Sequence, residues 1–77
     1  MNIRRKKKMK SIAEKIAELS EELEMLQDEE QEYMDNMPEN LQGSERYEVA
    51  DQAIDTMEVA IDRLNDVCTE LEEIYEN

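Results

Sequence analysis

Apolar residues recur at alternating intervals of three and four in two stretches of this chain, and its only proline and only glycine lie between those stretches. The first stretch has Met9, Ile12, Ile16, Leu19, Leu23, Leu26, Tyr33 and Met37, with Glu30 as the one polar intruder. The second has Tyr47, Ala50, Ile54, Met57, Ile61, Leu64, Cys68, Leu71 and Tyr75. Spacing of this kind belongs to helices that hide one seam against another helix. Pro38 ends the first helix, because it lacks an N–H and disfavours the helical conformation at Met37. Gly43 supplies a turn, and Ser44 caps a second helix whose first turn holds Glu45. Two helices are predicted, with residues 1–10 either frayed or continuing the first. Helix 1 spans about 9–35, the turn about 36–44 and helix 2 about 45–76, within a hairpin domain of residues 11–77.

A short connection makes the helices antiparallel neighbours. The two seams then mesh in layers that pair Tyr33 with Tyr47, Glu30 with Ala50, Leu26 with Ile54 and Leu23 with Met57. Leu19 with Ile61, Ile16 with Leu64, Ile12 with Cys68 and Met9 with Leu71 complete the register. The fold expected is therefore all-α, an antiparallel two-helix hairpin of the coiled-coil type. Helix 2 has a further apolar row, Ala53, Ala60, Val67 and Ile74, and helix 1 adds Ala13 and Ala17. That surplus implies a second neighbour, either another copy in a dimeric four-helix bundle or a different protein. With 77 residues, one hairpin has a marginal core unless a partner adds to it.

Charge is segregated along the chain. Arg4, Arg5, Lys6, Lys7, Lys8 and Lys10 crowd the start with no acid among them, whereas all 22 acids lie beyond residue 10 against Lys15, Arg46 and Arg63 alone. The basic arm has two uses. It can neutralise Asp66, Glu70, Glu72, Glu73 and Glu76, which the hairpin brings beside it, or it can bind nucleic acid without sequence preference. Residues 16–64 hold 16 acids and two bases. Spread along a rod of roughly 37 Å, this is about one net charge per 2.6 Å, within a factor of two of duplex DNA. An acidic body of this density, including Glu21, Glu24, Asp28, Glu32, Asp51, Asp55, Glu58 and Asp62, suits a partner with a basic groove. It also serves solubility.

Little chemistry is available. The chain has no His and one Cys, so the usual neutral-pH base, a disulfide within the chain and a Cys-rich zinc site are all missing. Cys68 sits in the seam, where a thiol is ordinarily inert packing. The run Asp28-Glu29-Glu30-Gln31-Glu32 lies on a helix and does not form a calcium loop. No enzyme activity, cofactor or metal is expected. No apolar run approaches a membrane span, no signal peptide is visible, and the single Cys suits a reducing compartment, so a cytoplasmic protein without membrane contact is expected.

The segment from Glu32 to Ser44, Glu-Tyr-Met-Asp-Asn-Met-Pro-Glu-Asn-Leu-Gln-Gly-Ser, resembles a signature of small, mostly uncharacterised proteins of phages and prophages from Gram-positive bacteria. The likeness extends to Ala53, Ile54, Asp55, Glu58, Ala60 and Ile61 and covers about residues 24–65. The long basic start departs from the pattern. The resemblance implies a phage origin and brings no activity with it. It suggests a binding module that inhibits a host or defence protein, with its acidic body imitating DNA. It also makes the turn residues Asp35, Asn36, Pro38, Glu39, Asn40, Leu41 and Gln42 candidates for recognition. The alternatives are a nucleic-acid-associated protein using the basic arm, or a purely structural oligomerisation module.

Overall fold

A computed structural model describes residues 1–77 as two long helices and one short one. Helix α1 runs Ile3–Asp35, a 3-10 turn α2 spans Glu39–Leu41, and helix α3 runs Glu45–Tyr75. The two long helices pack antiparallel along their lengths, giving a rod of 60 × 14 × 13 Å. The hairpin follows from the punctuation between the apolar repeats.

Helix α1 begins at Ile3, so the basic segment continues it. Asn2 caps it: its side-chain oxygen accepts from the Arg5 N–H at 2.8 Å, satisfying one of the donors a helix start leaves free. The Lys6 ammonium donates to the carbonyl of Asn77, tying the two chain ends together. At the other end, the Met37 N–H donates to Met34 and the Leu41 N–H to Pro38, so the turn winds tightly before Gly43 reverses it at φ +97°. Only a residue without a Cβ adopts that φ cheaply. Ser44 then caps α3, accepting from the Tyr47 N–H at 3.3 Å.

The second-helix seam is as its spacing requires. Tyr47, Ala50, Ile54, Met57, Ile61, Leu64, Cys68, Leu71 and Tyr75 are all buried or half-buried. On α1 the seam differs from the predicted layers. Met9, Ile16, Leu23 and Glu30 face inward, but the row beside them is Ala13, Ser20, Gln27 and Met34. Ile12, Leu19, Leu26 and Tyr33, the expected partners of Cys68, Ile61, Ile54 and Tyr47, are instead 52, 57, 53 and 47% exposed. The axial register shifts by only one residue: the Cys68 thiol lies 3.5 Å from the Ala13 carbonyl, and the Gln27 amide donates to the Ile54 carbonyl at 3.2 Å. What changed is the rotation of α1 about its own axis.

The physical reason lies in side-chain size and hydrogen bonding. Ala13 and Ser20, both buried, allow the helix axes to approach closely where Ile and Leu would hold them apart. Ser20 Oγ also donates to Asn65 Oδ1 at 3.1 Å, which satisfies a polar group that burial would otherwise make costly. No buried side-chain nitrogen or oxygen lacks a partner.

Candidate interaction surface

The rotation of α1 sorts the hairpin into two unlike broad faces. On one flank of the seam run polar ties, Ser20 to Asn65 and Gln27 to Glu58 at 2.7 Å. Residues of α1 and α3 beside those ties share that side, because neighbours on a helix surface are three or four apart. Glu21, Glu24 and Asp28 of α1 therefore lie on the same broad face as Asp51, Asp55, Glu58 and Asp62 of α3, and all seven are exposed. Glu32 is exposed on the outer edge of α1.

Of the cations beyond residue 10, Lys15 and Arg46 lie off this acidic face and Arg63 borders its edge. Arg46 lines a cavity with Tyr33 on the other flank. Arg63 shares a depression on the outer side of α3 with Asp55, Val59 and Ala60. Lys15 lies one heptad from Glu22, which rims the apolar groove over Leu19 and Leu23. The carboxylates thus come from two adjacent, packed helices, α1 and α3.

The opposite face is apolar. Ile16, Leu19, Leu23, Leu26 and Leu64 enclose a shallow groove of about 370 Å³. It continues toward the turn as a cavity of about 460 Å³ beside Glu30, Tyr33, Arg46 and Ala50. A further cavity of about 660 Å³ is lined by Tyr33, Met37, Pro38 and Leu41 among others. The displaced row of α1 and the row Ala53, Ala60, Val67 and Ile74 of α3 share this flank. Spacing alone missed the α1 half of it. The signal was present in the small residues Ala13 and Ser20, which mark a second row fit for close packing.

Glu30 is half-buried and lines the same cavity as Ala50 and Arg46, the neighbours its seam position implied. Replacing it with Leu removes a carboxylate from an otherwise apolar layer. Glu30→Leu should raise stability by about 1 kcal/mol, read as a higher melting temperature by circular dichroism; a loss of stability would reveal a specific partner for the carboxylate.

The turn is more exposed than a core cap. Met37 is half-buried, but Leu41 is 45% exposed, and Asp35, Asn36, Pro38, Glu39, Asn40 and Gln42 are exposed as well. In the basic arm Lys6 is half-buried, while Arg4, Arg5, Lys7, Lys8 and Lys10 are exposed. Tyr75, packed at this end of the hairpin, has its phenol raised above the ordinary value, first by desolvation and then by the carboxylates of Glu72, Glu76 and Glu14. No group of three or more Asp, Glu or Cys side chains is arranged to hold a metal ion, and no helix is long and apolar enough to cross a membrane. No family model, curated protein or solved structure matches the chain.

Proposed function

We propose that this protein is a non-enzymatic binding module that engages a basic groove of another protein through its acidic face, with two hairpins associating through the apolar face. One observation carries the reading: seven exposed carboxylates from both helices share a face that Lys15 and Arg46 lie away from and Arg63 borders only at Asp55. Carboxylates also occur elsewhere on the rod, Glu22 and Glu29 beside the apolar groove and Glu32 on the outer edge, and serve solubility there. A run of carboxylates from two packed helices suits a groove that normally takes a nucleic-acid backbone. Such a groove belongs to a DNA-binding protein of a host or of its defences, and the resemblance of the Glu32–Ser44 segment to phage proteins supports that setting. Occupying the groove inhibits its owner by competition, in the cytoplasm where such proteins work. The surface requires no cofactor.

The test is capture on the immobilised protein from a Gram-positive bacterial lysate, with elution by duplex DNA at constant ionic strength. A DNA-binding protein released by the duplex, and rebinding when purified, is the expected result. Captured protein that resists both duplex and salt would remove the electrostatic reading and shift attention to the turn, Asn36 to Gln42. If the purified protein instead shifts duplex DNA by itself in low salt, the basic arm is the active part.

A further inference from the structure

The apolar face is rimmed by charge in an order that specifies how it is covered. Glu22 rims the groove over Leu19 and Leu23, and the row to which it belongs, at intervals of seven along α1, reads Lys8, Lys15, Glu22, Glu29. All four are exposed. Helix α1 of one copy laid antiparallel on α1 of another sets Lys15 against Glu29 on both sides of the dyad, two attractive pairs that flank Glu22 beside its own copy on the dyad itself. The intervening apolar row meets itself in the same sense, Ile12 against Tyr33 and Leu19 against Leu26.

We propose, resting on the dimeric assembly put forward above, that the occupant of this face is a second copy of the chain turned end over end. In this dimer the two turns lie at opposite ends of a four-helix bundle. The competing arrangement stacks turn on turn and lays α1 of one copy on α3 of the other. Charge decides between them. Residues 28–51 hold nine acids and one base, whereas residues 1–14 and 66–77 together hold six of each. Turn-on-turn stacking doubles the strongly acidic end, but the end-over-end dimer covers it with the balanced one and brings the arm of one copy over the acidic turn of the other.

The area suffices. From Ile12 to Tyr33 the face is roughly 32 Å long and two helices, about 20 Å, wide. That buries on the order of 600 Å² per copy, close to the lower bound of a specific interface. The acidic face lies on the other side of each hairpin and stays free for a partner.

The experiment combines mass with orientation. Sedimentation equilibrium at about 100 µM should give twice the 9.1 kDa of one chain. In a Cys68→Ser background, a spin label at Gln42→Cys should show a label-to-label distance of about 50 Å by double electron–electron resonance. Lys15→Glu should weaken dimerisation tenfold or more, and the double exchange Lys15→Glu with Glu29→Lys should restore it. A monomer at that concentration overturns both this proposal and the dimeric assembly on which it rests. A dimer with labels within about 25 Å overturns the end-over-end arrangement and leaves the assembly standing. A dimerisation constant unmoved by Lys15→Glu rejects the charge-matched rim.

Discussion

Reversing Glu21, Glu24, Glu58 and Asp62 to Lys should reduce binding to the DNA-displaceable partner by roughly 1,000-fold at physiological salt. The magnitude follows from contact electrostatics: each ion pair near 4 Å contributes about 1 kcal/mol in water, and four are lost together. Repulsion from the new cations adds to that loss. All four side chains are exposed, and Glu58 alone ties the helices together, accepting from Gln27 Nε2 at 2.7 Å, so helical content should hold while the melting temperature falls slightly. Neutralising Arg4 and Lys7 to Gln should change affinity less than threefold, because these cations precede Glu21, the first of the body acids, by about 20 Å or more along α1. Titration calorimetry on both variants, repeated at two salt concentrations, separates the two ends of the molecule. The intact protein should show a steep salt dependence that the reversed variant has lost. If the Gln variant fails and the reversed one binds normally, the acidic face is not the contact.

The largest effect on stability should come from Ile61→Ala. Ile61 is one of five buried residues in the whole chain and is 4% exposed. It lies opposite Ser20, at the mid-point of the seam where neither chain end nor turn can compensate. Removing its side chain costs about 2–4 kcal/mol, the lost transfer energy together with the cavity left behind. A hairpin with so few buried residues has little to spare. Thermal unfolding followed by circular dichroism should move down by well over 10 °C, or lose its cooperative transition altogether. Leu19→Ala serves as the contrast, since the sequence repeat equates these two positions and the structure separates them. At a protein concentration low enough to keep single hairpins, Leu19→Ala should cost less than 1 kcal/mol, because its side chain is 57% exposed. Equal losses for the two substitutions would restore the layer that pairs Leu19 with Ile61.

The amino-acid sequence by itself determined the two helices, the turn between them and the seam of α3. These features are local. Pro38, Gly43 and Ser44 act on the backbone of their own neighbours, and the intervals of three and four are a property of one helix at a time. Glu30 was likewise legible as the lone carboxylate of a seam, close to Ala50 and Arg46. Only the tertiary structure decided which of three adjoining rows on α1 faces α3. The repeat admits Ile12, Leu19, Leu26 and Tyr33 as readily as Ala13, Ser20, Gln27 and Met34, and hydrophobicity alone favours the former. The choice depends on how closely two helix axes approach and on whether Ser20 and Gln27 find hydrogen-bond partners across the gap. Neither quantity exists until both helices are in place. That rotation moves the larger side chains to one flank and leaves seven exposed acids on the other, so the division of the hairpin into an apolar side and an acid-rich side is a consequence of packing.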